Sequence, residues 1–408
     1  MKYSRRQFLQ ALGGVYLGQY LLEPSILSFA HANQLLKGAE KENSRVLADL
    51  HVHPTLNKWI ENSAIGVAAP LLAKIARTTM NKTNVDWKPC HEAGIDLMLA
   101  AHFNPFDEFA SMDTDPNADA PRNTLRMIDL LEQEVRTKAV SYARIVRSGA
   151  ELKDVTRFRP GHPDYRIAVL HAIEGGHALG GDLNSLYTFA QRNVAMITVT
   201  HFFTKGIASS ANALPFFPDA FTQPPKQGLS EFGKEVISRM EDLSIIVDVA
   251  HGTSTTIEDI LKISRRPLIA SHISARTLAD HPYSLYDEHI QEIARRGGII
   301  GVILMPYWLS NYNNLHLAET HGSLSDVVRT IRYIYKICGK HTCIGIGSDF
   351  AGYIQGPAEI SELSQIGKLK SLLLEEFDDD YELVEDIMAN NVLNFFIEHW
   401  NPGENSSK

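Results

Sequence analysis

Apolar residues in this chain gather into short, nearly continuous runs. They recur at 46–53, 94–101, 165–174, 194–200, 245–250, 268–271, 298–304 and 342–348. Runs that do not alternate with polar residues mark strands covered on both faces. The segments between most of them carry helical spacing instead. Leu125, Ile128, Leu131, Val135 and Ala139 form one stripe, predicting a long helix over 122–148. Further helices are expected at Pro70–Ala76, 183–192, 230–243, 253–263, 286–296 and 324–338, with two more at 360–376 and 381–399. Residues 103–123, rich in Asp, Pro and Asn, read as loop. Residues 202–227, rich in Pro and Phe, form a loop long enough to cover a site.

Strands alternating with helices predict parallel βα units. Eight of them predict an α/β fold, a (β/α)8 TIM barrel of the metal-dependent hydrolase type with extra C-terminal helices. An open doubly wound sheet is the alternative. It does not account for polar residues placed where strand after strand ends.

Those residues are His51 and His53 after the first run, Glu174 after the third, His201 after the fourth, His251 after the fifth, His272 after the sixth and Asp349 after the eighth. Each alone reads as structural: a hydrogen-bonded core histidine, a helix-capping glutamate before Gly175-Gly176, a loop aspartate. In a barrel, all strand C-termini open onto one face, so the set converges. His51 and His53, two apart on a strand, point the same way. Two histidine pairs and a carboxylate suffice for two metals, with Glu174 as the bridge. Such a pair, roughly 3.5–4 Å apart, holds a hydroxide as nucleophile and polarises a carbonyl or phosphoryl oxygen. Imidazole and carboxylate without thiolate suit zinc, with iron, manganese or cobalt as alternatives. Asp349 is then the expected proton carrier. His102, His171 and His177 read as supporting or structural; His91, His162, His281, His289, His321, His341 and His399 read as loop or surface residues.

The chain has 408 residues, 44% hydrophobic and 21% charged, with net charge −9, which carries no basic footprint for nucleic acid. Three cysteines, Cys90, Cys338 and Cys343, make no disulfide framework and are expected as free thiols. Ser4-Arg5-Arg6-Gln7-Phe8-Leu9-Gln10 matches the twin-arginine export pattern, and Ala30-His31-Ala32 offers a cleavage site. Residues 1–32 are therefore expected as a signal peptide, 33–44 as a linker, 45–400 as one catalytic domain and 401–408 as a disordered tail. No later run is long enough to span a membrane, and no cysteine follows the cleavage site to take a lipid. A bacterial protein, periplasmic or secreted, is the expectation.

Taken together, these segments resemble the membrane dipeptidase (renal dipeptidase) family of the amidohydrolase superfamily. The similar stretches are Asp49–Pro54, Ile173-Glu174-Gly175-Gly176-His177, Thr198–His201, Gly228-Leu229-Ser230-Glu231-Phe232-Gly233, Val247-Asp248-Val249-Ala250-His251, Ser271-His272-Ile273-Ser274-Ala275-Arg276, Gly297-Gly298 and Gly345-Ile346-Gly347-Ser348-Asp349-Phe350. The resemblance implies a binuclear zinc barrel that hydrolyses dipeptides, often tolerating a D-residue at the C-terminal position, and often a homodimer. It implies that His51 and His53 bind one metal, that Glu174 bridges, and that His251 and His272 bind the other. It also implies that His201 contacts the substrate and the tetrahedral intermediate, and that Asp349 shuttles the proton.

Two departures stand out. The family has His-x-Asp in the first strand, where this chain has His51-x-His53. After His281-Pro282 it has Arg-Asn, the arginine holding a dipeptide carboxylate; here Tyr283-Ser284 stand. Tyr283, and Arg276 as a substitute cation, are thus candidate substrate-binding residues. The alternatives left open are another superfamily hydrolase, such as a phosphoesterase or lactonase, and a periplasmic tailoring or binding protein for a secondary metabolite.

Overall fold

The computed structural model describes residues 44–63, 83–110, 117–203, 206–211, 228–311 and 321–402. The expected signal segment, the helix at Pro70–Ala76, and most of the linker, the loop over 202–227 and the C-terminal tail lie outside the described residues.

The apolar runs become strands: β1 (Leu47–Val52), β2 (Ile95–His102), β3 (Ala143–Ile145), β4 (Ile167–Glu174), β5 (Val194–Thr198), β6 (Ile246–Asp248), β7 (Ile269–Ile273), β8 (Ile299–Ile303) and β9 (Ile344–Gly347). All pairings are parallel, in the order β2-β1-β9-β8-β7-β6-β5-β4, and β2 pairs with β4 from Leu97↔Ala168 to His102↔Ile173, closing an eight-stranded barrel. Every strand residue of β4, Ile167 to Glu174, is buried, as a strand between a filled barrel and a helical jacket must be.

Local chemistry sets the helix boundaries. Ser148 accepts from Glu151 N–H to start the helix Gly149–Thr156, Ser230 caps Glu231–Asp242, and Thr253 caps Ser254–Ile263. Ser323 and Asp326 form a reciprocal capping box on Leu324–Cys338, which stops at Gly339 in the left-handed conformation, φ 66°.

One end of the barrel is plugged. The helix Asn391–His399 carries Phe395 and Phe396, which with the following Trp400 form one core cluster with Ala48, Leu50, Leu97, Leu99, Leu170 and Ile299 of the strands. Full burial of a side chain such as Phe396 contributes about 2–3 kcal/mol. Asn391 Nδ2 donates to the Ile344 carbonyl where β9 begins, which puts this plug at the strand N-termini. Arg45 braces the same end, bonding Asp96 Oδ1 and the Thr156 carbonyl at 2.7 Å each. The opposite end is left for chemistry.

The structure corrects several expectations. The helix Ala120–Lys138 ends ten residues short of the expected 148. The chain turns at Ala139–Tyr142 and adds β3, which pairs with the first residues of β4 below the stretch taken by β5. Residues 105–110, expected as loop, form a short helix. The last helical segment is broken by a π-helical turn at Asp386–Asn390. His289, expected at the surface, is buried on the helix Asp287–Arg295. The three cysteines are free thiols. Among the described residues no helix is long and apolar enough to cross a membrane.

Candidate metal centre

Each polar residue at a strand end is delivered to the open end of the barrel. β1 brings His51 and, one residue past its end, His53; β4 ends on Glu174; β7 carries His272. His251 and Asp349 follow β6 and β9, and both adopt positive φ, 63° and 59°. Side chains other than glycine rarely take this backbone conformation, and held so they mark a site where surrounding structure imposes the geometry.

Glu174 is the centre of the arrangement. Its Oε1 lies 3.3 Å from His51 Nε2, 3.3 Å from His251 Nε2 and 3.5 Å from His272 Nε2. Its Oε2 lies 3.6 Å from His53 Nε2. The two histidine pairs are themselves close, Nε2 to Nε2 being 3.2 Å for His51 and His53 and 3.0 Å for His251 and His272. Two triads share the carboxylate: His51, His53, Glu174 and Glu174, His251, His272, each with its donor atoms within 4.8 Å of one another. A third grouping joins His51, Asp248 and His272.

The donor set fits a cation. His53 Nδ1 faces the Ala101 carbonyl at 3.1 Å and so carries the proton, leaving Nε2 as a lone pair. His272 Nδ1 is 2.7 Å from Ser271 Oγ, whose own proton goes to Asp248 Oδ2 at 2.6 Å, so His272 Nε2 is also a lone pair. Ring nitrogens 3.0–3.2 Å apart and converging match the ligand-to-ligand spacing, about 3.3 Å, around a tetrahedral ion with bonds near 2.0–2.1 Å.

Electrostatics agree. Burial penalises charge throughout, yet the Glu174 carboxylate outweighs it at His51 and raises that ring to about 9. Glu174, despite its own burial, is held well below the usual carboxylate range by His201 and His51. Burial keeps His251 and His272 neutral by lowering both. The pocket holds its acid ionised beside the neutral rings of His251 and His272, while His51, held protonated by Glu174, would exchange its proton for a bound cation.

Two more sequence-selected residues border this cluster. Asp349 Oδ1 is 3.2 Å from His53 Nε2, and at 7% exposure Asp349 is the most accessible member of the group. His201 Nε2 is 3.5 Å from Glu174 Oε1 on the other side. The two remaining candidates are placed differently. Tyr283 is buried, donates its hydroxyl to the His272 carbonyl, stacks on Trp308 at 4.3 Å and meets His251 edge-on. Arg276 pairs with Asp280 at 2.8 Å and lies over the Tyr286 ring. His102 and His171 bond each other at 3.0 Å, with His171 reaching Glu132 on the helix Ala120–Lys138, so this pair supports the jacket.

Sequence reasoning missed three acids. Asp49 and Asp248, both fully buried, anchor strand ends; Glu108, also fully buried, bonds His201. Asp49 and Asp248 were visible inside apolar runs, where a charge needs a reason. Glu108 had no such marker in its acid-rich segment.

In sequence and in fold the chain is similar to known dipeptidases. Dipeptidase 3 of Mus musculus is 28% identical over 278 residues, 68% of this chain and 52% of the mouse protein. Dipeptidase aclJ of Aspergillus oryzae is 28% identical over 255 residues, 62% of this chain and 56% of that protein. The matched stretch thus spans about half the length of these relatives. Among solved structures, a metallopeptidase from Rhodobacter sphaeroides, liganded with a phosphinate mimic of the dipeptide L-Ala-D-Ala, superposes with TM-score 0.69 at 18% identity, covering 88% of this chain and 100% of that one. The probable dipeptidase PvdM from Pseudomonas aeruginosa superposes with TM-score 0.66 at 20% identity, covering 90% and 97%. These likenesses show the shared barrel. The model of the membrane dipeptidase family, peptidase family M19, matches residues 42–404, and the chain belongs to that family.

Proposed function

We propose that this protein is an exported, zinc-dependent dipeptidase that hydrolyses the amide bond of dipeptides or peptide-like small molecules. The observation that carries the reading is the Glu174 carboxylate shared between two pairs of converging histidine nitrogens. His51, His53 and Glu174 would hold one zinc, and Glu174, His251 and His272 the other. Bound there, the ions would supply Lewis acidity and lower the pKa of water.

The chain's own residues do the rest. Asp349, at the accessible edge of the cluster, accepts a proton from the attacking water as its oxygen bonds the amide carbon. It then delivers that proton to the amine nitrogen as the C–N bond breaks. His201, on the far side of Glu174, hydrogen-bonds the carbonyl oxygen as it gains charge.

A second reading concerns the substrate. The Tyr283 hydroxyl is committed to the His272 carbonyl and Arg276 to Asp280. The Tyr283 hydroxyl is turned away from a free carboxylate, and Arg276 would have to leave Asp280 to grip one. This favours a peptide-like amide over a simple dipeptide, in keeping with a tailoring role for an exported enzyme.

Metal analysis of the purified protein should give two zinc ions per chain. The zinc-loaded protein should cleave L,L- or L,D-dipeptides or their C-terminally blocked counterparts, and a chelator should stop it reversibly. Glu174→Gln should take the metal content to one or fewer. Turnover that survives complete metal removal would end the proposal. Preference for blocked over free dipeptides decides the substrate. Export through residues 1–32 is tested by fractionating cells after Arg5→Lys with Arg6→Lys; the precursor should stay inside.

A further inference from the structure

The segment between β2 and the helix Ala120–Lys138 puts one acid at the edge of the centre. Glu108 sits on the short helix Pro105–Ala110 and is 0% exposed. An ionised group so buried must have every acceptor satisfied. Oε2 lies 2.7 Å from His201 Nδ1. Oε1 accepts the backbone N–H of Phe202 at 2.8 Å and that of Phe203 at 3.2 Å. His177 Nδ1 stands 4.0 Å from the same oxygen. Although burial pushes the carboxyl up, His201 and His177 outweigh it and hold Glu108 down to about 2. It is therefore an acceptor only, and His201 Nδ1 must carry a proton.

The consequence lies across the ring. With Nδ1–H fixed on Glu108, Nε2 is aimed at Glu174 Oε1, 3.5 Å away. Phe103 at 4.4 Å and Phe202 at 3.6 Å between ring centroids flank the imidazole, so its plane is held as well. The bonds to Phe202 and Phe203 tie the backbone just after His201 to the same carboxylate.

We infer that Glu108 is the positioning residue for His201, fixing which ring nitrogen faces the reacting amide and where the chain after it begins. A carboxylate on the far nitrogen of a working histidine sets its orientation, and with Nδ1–H held there it is the Nε2–H of the imidazolium that donates to the carbonyl oxygen. This inference rests on the hydrolytic reading of the site.

The test uses the metal-loaded full-length protein. Glu108→Gln should lower kcat by about 10–100-fold, with KM changed less than about 3-fold and metal content unchanged. In a His201→Ala background the same change should alter kcat less than about 2-fold, because the residue it acts through is gone. In ¹⁵N NMR of histidine-labelled protein, the His201 signal, assigned by its loss in His201→Ala, should show a protonated Nδ1 in the wild type. Glu108→Gln should mix the ring states. An undiminished loss in the double variant, or a bare Nδ1 in the wild type, overturns the inference. The NMR readout needs no turnover, so it decides the matter even if no amide tested is cleaved.

Discussion

Asp248 on β6 holds Ser271 on β7 with both carboxylate oxygens. Oδ1 accepts the Ser271 backbone N–H at 2.9 Å, and Oδ2 accepts its hydroxyl at 2.6 Å. The hydroxyl in turn accepts the His272 Nδ1 proton at 2.7 Å. The same device recurs across the barrel: Asp49 on β1 accepts the Ser348 N–H at 2.8 Å and its hydroxyl at 2.5 Å. Each acid staples two neighbouring strands beside a histidine of the candidate centre. The nitrogens of the candidate centre are thus placed by the barrel itself.

Replacing Ser271 by Ala should weaken metal binding by about 10–100-fold while leaving the barrel folded. His272 loses the acceptor that sets its tautomer, and Asp248 keeps the bonds from Thr198 and Ala250. Competition against a chromophoric chelator, with circular dichroism as the check on folding, measures this.

The barrel was legible in the chain because parallel, doubly covered strands are continuous apolar runs, and because His51, His53, Glu174, His201, His251, His272 and Asp349 all stand at or just past strand ends. What escaped was decided by tertiary contact. Ala143-Arg144-Ile145 is too short for a period to register, and its middle residue is exposed. Glu108 lies among other acids in a segment with turn-like composition, and only packing selects it over Asp107, which instead takes Asn104, Asn117 and Asn123. The Tyr283 hydroxyl could have faced either the cavity or the backbone; the Trp308 ring on which it stacks turns it to the His272 carbonyl.

Asp349→Asn should retain the full metal content and lose about 10²–10⁴-fold in kcat, because the amide keeps the shape of the side chain but cannot carry a proton. Metal analysis beside steady-state kinetics separates the two effects. Kinetics close to wild type would remove Asp349 as the proton carrier.

Gly175→Ala should cost about 1–3 kcal/mol of stability and disturb His201. Gly175 follows Glu174 with φ 95°, and an added Cβ would meet the His177 ring and come within 3.2 Å of His201 Cβ. Urea unfolding gives the first quantity, and kcat of the folded fraction the second. A neutral result in both would mean that this turn relaxes freely.

His281 gives stability a pH dependence outside the metal cluster. Burial and the nearby Arg276 lower it from the ordinary 6.5 to about 4. Its Nδ1 accepts the Tyr283 backbone N–H, and its ring lies against Tyr307 and Trp308. Between pH 6.5 and 4 the unfolded chain binds a proton that the native ring refuses. Stability therefore falls as pH drops through that window, and this contribution is level above and below it. After allowance for the ring's partial exposure, the loss is on the order of 2 kcal/mol. His281→Asn keeps an acceptor for Tyr283 N–H and has nothing to titrate. Urea unfolding of chelator-treated wild type and variant at pH 7 and pH 4.5 should show the wild type losing more stability by about that amount. Equal losses in both proteins would mean that His281 titrates alike folded and unfolded.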